Sequence, residues 1–231
     1  ADRPALLPGF QLFFGRAVHE FDSAARPQRF GNLVATRLPV ARVQHHPLPW
    51  PADSSVASMP RMCTSVTLQS PLLGALRVMT THLEYYSQVQ RSAQAGALRS
   101  LHEEACAQAA ALPKPEFDDA GTPFQHKLHT AEAILCGDFN MPATDPAYGV
   151  LQQPFEVAGG SRSRLHDAWR AVLGTLPHPP TFRLYDRRYG PDPVACDFVF
   201  LSDGLAPRVR RIEVDGATQV SDHQPVLVEL A

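Results

Sequence analysis

The hydrophobic pattern along the chain predicts many short strands and one long helix. Apolar or alternating runs of a few residues are separated by turns rich in proline and glycine, and 22 of the 231 residues are proline. The predicted strands are residues 11–14, 33–36, 41–45, 63–68, 76–81, 133–136, 198–201, 209–214 and 226–230. A strand-rich chain with helices between some strands indicates a layered α/β or α+β sandwich, and the pattern alone does not select one topology.

The long helix is predicted over residues 87–111. Ser87 and Gln90 have the spacing of a capping box, and Pro113 stops the helix at its other end. The polar, turn-rich stretch 113–130 that follows is predicted to be a long loop.

The buried stripe of this helix contains polar residues near its start. Leu98, Leu101 and Ala105 lie on one face, and steps of three and four residues backwards reach Gln94 and Arg91. We therefore expect these two side chains to face something polar inside the protein.

Composition indicates one domain over residues 1–231 and gives no sign of a nucleic-acid polymer as partner. The chain is 44% hydrophobic, enough for a substantial core, and its formal net charge of −2 provides no general basic field. The four cysteines are widely separated, which favours buried free thiols over a metal cluster. No apolar run approaches the roughly 20 residues of a membrane span, and the first residues are not typical of a signal peptide, so we expect a cytoplasmic location.

Acid, amide and imidazole side chains occur directly at the ends of several predicted strands. These residues are His82, Asp138, Asn140, Asp197, Asp222 and His223. Each has an ordinary structural interpretation when taken alone, such as turn chemistry for Asp138 and Asn140. Their shared position at strand ends makes a common site the better interpretation.

The order THLE, R..Q, GDFN, DFVF and SDH along the chain resembles the endonuclease/exonuclease/phosphatase superfamily of DNase I-like metallo-phosphoesterases. The resemblance extends from about Phe10 to Leu230. It implies an α/β (α+β) fold, namely a four-layer sandwich of two packed mixed β-sheets flanked by helices. It also implies a monomer that hydrolyses phosphodiester or phosphomonoester bonds with Mg²⁺ or Mn²⁺.

The resemblance also implies a role for each matching residue. Asp138 would orient or deprotonate the attacking water, and Asn140 would bind the scissile phosphate. Asp222 would be a metal ligand, and His223 would contact the phosphate, with Asp197 fixing the orientation of His223.

Further positions are candidates for binding the phosphate. His82 resembles a second phosphate-facing histidine and is a candidate general acid. Arg61, Arg91 and Gln94 are candidate substrate-binding residues, since an arginine near the start of a helix adds charge-assisted hydrogen bonds to an anion.

The chain departs from the family pattern at its beginning. The family's first strand carries an Asn and the next ends in Gln-Glu, whose Glu binds metal, and neither is found ahead of Gly9. We therefore expect the domain to lack its first strand-helix-strand unit, through truncation or through natural loss of metal binding. The alternative function is accordingly an inactive module that binds phosphate or another anion.

The substrate is left open among a small phosphoester, a lipid headgroup and a short nucleic acid. The stretch FRLYDRRY, residues 182–189, would flank the site. Its aromatic and basic side chains could stack on a base or bind a second phosphate, but a solvated loop is the alternative.

Overall fold

The computed structural model describes residues 7–111 and 113–231, with strands throughout and one long helix. The strands are β1 (Gln11–Phe21), β2 (Pro27–Thr36), β3 (Val40–Pro47), β4 (Met62–Ser70), β5 (Gly74–His82), β6 (Ala133–Asp138), β7 (Phe155–Glu156), β8 (Arg162–Ser163), β9 (His166–Asp167), β10 (Asp197–Leu201), β11 (Val209–Val214) and β12 (Val226–Leu230). The helices are α1 (Gln88–Ala110), α2 (Pro146–Leu151) and α3 (Ala168–Leu173).

Six strands form the central mixed sheet in the order β3-β4-β5-β6-β10-β9. The pair β5 and β6 is parallel, and the other neighbours are antiparallel. A parallel pair needs a long crossover, and α1 lies within that connection.

One face of the central sheet packs against α1 and α2. Leu98 of α1 and Leu151 of α2 belong to the same buried cluster as Met79, Leu135 and Phe200 of the sheet. Burial of these side chains joins the helices to the sheet and stabilises the crossover.

Two hairpins cover other parts of the sheet. Strands β1 and β2 pair with each other, and Val34 of β2 packs against Val66 and Leu76. Strands β11 and β12 form the second pair, in which Ile212 packs near Leu201. Because successive side chains of a strand point to opposite faces, these contacts place both hairpins on the face opposite α1.

The predicted strands and the long helix are confirmed. Each predicted strand lies within an observed one, with bounds extended by up to several residues. The Ser87 side chain accepts a hydrogen bond from the backbone N–H of Gln90, as expected of the helix cap. The Gln90 side chain, however, donates to the Pro51 carbonyl instead of turning back to the cap. The capping box is therefore formed in one direction.

Two short helices and three two-residue strands were not predicted. Helix α2 begins after Asp145 and helix α3 after Asp167, and each aspartate accepts backbone hydrogen bonds as an N-cap. The sequence carries these caps, but six residues are too few to show a helical periodicity.

The four cysteines are free, and Cys63, Cys106 and Cys196 are buried, as expected. Among the described residues, no helix combines the length and the apolar character that a membrane crossing requires.

Candidate active site

Three of the predicted site residues form a row across the central sheet. His82 ends β5 and lies opposite Asp138 at the end of β6, and Asp138 lies opposite Asp197 at the start of β10. Residues that are opposite each other in neighbouring strands direct their side chains to the same face. The row lies on the face that carries the hairpins, and Phe30 of β2 contacts the His82 ring at a centroid distance of 5.4 Å.

His223 joins this row from the segment before β12. Its Nδ1 lies 2.8 Å from Asp197 Oδ2, and its ring stacks on Phe182 with centroids 4.4 Å apart and an angle of 20°. A β-bridge between Phe182 and His223 holds the two backbones together. Asp197 and Phe182 therefore fix the ring and leave Nε2 directed towards Asp138, 3.7 Å from Oδ2.

Asp138 lies between two imidazoles. Its Oδ2 is 3.4 Å from His82 Nε2, and its Oδ1 accepts a hydrogen bond of 2.8 Å from the backbone N–H of Asn140. Burial, reinforced by the nearby charge of Asp197, raises the pKa of Asp138 to about 6. A carboxyl with such a pKa can accept a proton near neutral pH.

The two histidines have pKa values that shift in opposite directions. Burial, with the charge of Arg61 adding to it, lowers the pKa of His82 to about 4. Burial also opposes protonation of His223, but the hydrogen bond and charge of Asp197 outweigh it and raise the pKa of His223. The site therefore contains one neutral imidazole and one that carries positive charge more readily.

The turn after β6 places Asn140 at the site. Asn140 has a positive φ of 51°, a conformation that asparagine tolerates, and its Nδ2 donates to the Leu83 carbonyl at 2.8 Å. A side-chain amide has two N–H bonds, so one is still available for a ligand.

Gly137 permits the close approach of β5 and β6 immediately before Asp138. Its φ is 146°, and a Cβ at this position would lie 2.0 Å from the Thr81 carbonyl oxygen. No larger residue fits without separating the strands that carry His82 and Asp138.

Arg61 is buried beside the row and is paired with Glu84. Its Nε donates to Glu84 Oε2 at 3.2 Å, while its buried Nη1 has no hydrogen-bond partner within the described part of the chain. A buried guanidinium nitrogen without a partner is costly, and the positive charge of Arg61 would attract an anion to the row. Glu84 had no predicted role, although it is the last residue of the THLE motif.

Arg91 and Gln94 do not line the cleft that opens over the row of His82, Asp138 and Asp197, which corrects their expected role in substrate binding. Arg91 donates to the carbonyls of Glu84 and Tyr85 and to Asp145 Oδ2. Gln94 accepts from the Glu84 amide and donates to a loop carbonyl. These contacts supply the polar partners that the buried stripe of α1 predicted, and the two side chains fix the segment after β5.

A cleft of about 220 Å³ opens over the row. Its polar lining is Arg61, His82, Asp138, Asn140, Asp222 and His223. It therefore contains two carboxylates against one guanidinium, which is already paired with Glu84. A phosphate bound here needs a further positive charge.

The carboxylates of the cleft suit a hard divalent cation. Asp222 is half-buried. Among the described residues, its carboxylate accepts one hydrogen bond, a long one of 3.4 Å from the Ser221 hydroxyl. Mg²⁺ typically uses one or two carboxylates together with substrate phosphate oxygens and water, so Asp222 fits it.

A second cluster fits Mg²⁺ less well. Asp138, Cys196 and His223 have potential ligand atoms within 4.8 Å of one another. Burial strongly raises the pKa of Cys196, which keeps the thiol protonated, and Mg²⁺ prefers oxygen ligands.

Solved structures resemble this chain over almost its whole length. An endonuclease/exonuclease/phosphatase family protein from Bacteroides thetaiotaomicron has a TM-score of 0.64 at 18% identity, covering 97% of this chain and 76% of that one. A mannosyl-6-phosphatase from the same organism has a TM-score of 0.63 at 20% identity, covering 99% and 79%. A 3′ phosphatase from Neisseria, bound to a product DNA hairpin, has a TM-score of 0.58 at 15% identity, covering 98% and 81%.

These structures establish the fold. No protein-family model and no curated protein matches the sequence significantly. At such low identity the likeness concerns the architecture, and the chain has the DNase I-like fold of endonuclease/exonuclease/phosphatase proteins, as the resemblance implied.

Proposed function

We propose that this chain is the catalytic part of a divalent-metal-dependent phosphoester hydrolase. The observation that carries the proposal is the cleft in which Asp138 lies between His82 and His223, beside the guanidinium of Arg61. This arrangement combines a proton acceptor, two imidazoles and a positive charge that attracts an anion. Proteins with this fold include a mannosyl-6-phosphatase and a 3′ phosphatase, which supports the assignment.

The reaction is a displacement at phosphorus by water. Asp138 accepts a proton from the water as its oxygen forms the new bond to phosphorus. Asn140 and Arg61 donate hydrogen bonds to the phosphate oxygens that carry the developing charge. The bond between phosphorus and the leaving oxygen breaks, and that oxygen takes a proton.

We assign this last proton to His223 rather than to His82. The Asp197 hydrogen bond favours the protonated form of His223, whereas the lowered pKa of His82 makes it a neutral imidazole near pH 7. A neutral imidazole can still donate one N–H bond to a phosphate oxygen. His82 thus binds the phosphate, which revises its expected role as general acid.

Asp222 would hold the metal ion, while Asp138 is kept for the proton of the water. Bound Mg²⁺ or Mn²⁺ would neutralise charge on the phosphate and favour deprotonation of the attacking water. The excess of carboxylates over free cations in the cleft supports this cofactor.

The test is hydrolysis of bis(p-nitrophenyl) phosphate and p-nitrophenyl phosphate by the protein expressed with any coding sequence that precedes residue 1. We expect activity that depends on Mg²⁺ or Mn²⁺ and falls by about 10²-fold or more in Asp138→Asn and in His223→Ala. His126→Gln, at an exposed position outside the cleft, is the control and should retain activity. Equal activity in all variants, or activity with EDTA present, would contradict the proposal.

The second candidate is a phosphate-binding module without catalysis. It is favoured by one observation: within the described residues, Asp222 is the one cleft carboxylate that does not lie against the histidines, so a single carboxylate is available to a metal ion. A folded protein that binds inorganic phosphate through Arg61, but hydrolyses neither ester with any metal, would favour this candidate.

A further inference from the structure

Three tyrosines line the cleft beside the proposed phosphate site. Tyr85 and Tyr86 come from the connection between β5 and α1, and Tyr189 comes from the loop that precedes β10. Their exposed fractions are 41%, 63% and 58%. Large aromatic side chains exposed in a cleft are available for contact with a ligand.

The backbone that presents Tyr85 and Tyr86 is fixed by buried groups. Glu84 Oε1 accepts a hydrogen bond of 3.0 Å from the Tyr86 amide, and Arg91 Nη1 donates one of 2.9 Å to the Tyr85 carbonyl. The two rings meet edge to face, with centroids 4.7 Å apart at 88°. The same Glu84 carboxylate pairs with Arg61, so the backbone of the tyrosines is positioned relative to the Arg61 guanidinium.

The ring of Tyr189, on the loop before β10, stacks on a neighbouring aromatic ring. Its ring lies nearly parallel to Phe182, with centroids 6.2 Å apart at 27°, and Phe182 in turn stacks on His223. The Tyr189 carbonyl accepts from Arg183 at 2.9 Å. This ring therefore continues a stack that begins at the proposed catalytic histidine.

The basic residues near these tyrosines are not arranged to bind further phosphates. Arg188 pairs with Asp186 at 2.8 Å and lies over the Tyr189 ring at 5.8 Å. Arg61 is the guanidinium that lines the cleft among the described residues. The cleft thus fits one phosphate next to aromatic surfaces, rather than a chain of phosphates.

On the basis of the proposed function, we infer that the substrate is a nucleotide, whose base contacts Tyr86 and Tyr189 while its phosphate meets Arg61 and the histidines. Stacking on aromatic side chains is tolerant of base identity, because every base has a π-face. The inference therefore specifies a planar aromatic group and not a particular base.

The test compares AMP with ribose 5-phosphate, which has the same sugar and phosphate but no base. Binding is measured by calorimetry on the Asp138→Asn protein with Mg²⁺, and turnover is measured on the wild-type protein. We expect AMP to be preferred by about tenfold or more, and the preference to fall by about tenfold in Tyr86→Ala and in Tyr189→Ala. Tyr86→Phe should keep the preference, because it retains the ring.

Phe117→Ala is the matched control, since Phe117 is 67% exposed and does not line the cleft. Equal binding of the two ligands, or an AMP preference that survives both alanine variants, would overturn the inference while leaving the hydrolase intact. Preferential binding of AMP by a protein that hydrolyses no phosphoester would support the nucleotide subsite and contradict the proposed function.

Discussion

Arg61 and Glu84 form a buried ion pair, in which Arg61 Nε lies 3.2 Å from Glu84 Oε2 and the two side chains are 5% and 1% exposed. Removing a charge from water is costly, and here both charges are removed together. Glu84 also accepts from the Tyr86 amide. The pair therefore links the stability of the cleft wall to the position of the anion-binding group.

Glu84→Gln should destabilise the protein, because it leaves the Arg61 charge buried without its counter-charge. We expect a loss of about 3 to 5 kcal/mol in the free energy of unfolding, measured by urea denaturation. The double variant Arg61→Met/Glu84→Leu should recover most of the stability but not the phosphoesterase activity. A loss below about 1 kcal/mol in Glu84→Gln would show that the pair is not buried in solution.

Asp197→Asn should reduce turnover without a comparable change in the fold. Asp197 holds His223 through Nδ1 at 2.8 Å, and its charge favours the protonated imidazole that the proposed reaction uses. We expect kcat to fall by about 10²-fold with a small change in KM, as measured by steady-state kinetics.

The matched control for that variant is Asp203→Asn, which removes a carboxylate paired with His166 at 2.6 Å outside the cleft. It should leave kcat close to the wild-type value. Equal losses in the two variants would indicate a general effect of removing an aspartate–histidine pair.

Much of the site could be predicted because its residues follow strands that the hydrophobic pattern identifies. The sequence located Asp138, Asp197 and His223, and the register of β5, β6 and β10 then brought the first two together. Glu84 had no comparable signal, since its role depends on how it meets Arg61 from another part of the chain. Tyr189 ends the stretch 182–189, which was expected to flank the site, but only the structure shows that its ring lines the cleft. The pattern also could not tell that Arg91 would use its donors on neighbouring carbonyls, because a buried polar stripe is compatible with either a ligand or the protein's own backbone.

Gly137→Ala should both destabilise the protein and reduce activity. The new Cβ would lie 2.0 Å from the Thr81 carbonyl oxygen, and alanine disfavours the φ of 146°. We expect a loss of at least about 2 kcal/mol in the free energy of unfolding, with weaker phosphate binding because Asp138 follows directly.

Gly96→Ala is the control for that substitution. Gly96 lies within α1, and an added Cβ would meet no atom of the described residues within 4 Å apart from its own helix backbone. Alanine has the higher helix propensity, so this variant should gain about 0.5 to 1 kcal/mol. Similar destabilisation by both substitutions would mean that the close approach of β5 and β6 is not what requires glycine at position 137.

His102 should make the protein less stable in mild acid. It is fully buried in α1, where burial and the Arg77 charge lower its pKa to about 4, and its Nδ1 lies 3.0 Å from Arg77 Nη2. In the unfolded chain His102 binds a proton as the pH falls below about 6.5, whereas in the folded chain it stays neutral down to about 4. Its contribution to the free energy of unfolding is therefore complete above pH 6.5 and is lost as the pH falls towards 4. This difference corresponds to about 3 kcal/mol.

In His102→Gln, which keeps an acceptor for Arg77 but does not titrate, the free energy of unfolding measured between pH 7 and 4 should decline less than in the wild type, by about that amount. The exposed His126→Gln should follow the wild-type curve, and a wild-type decline in His102→Gln would mean that His102 is protonated in the folded protein.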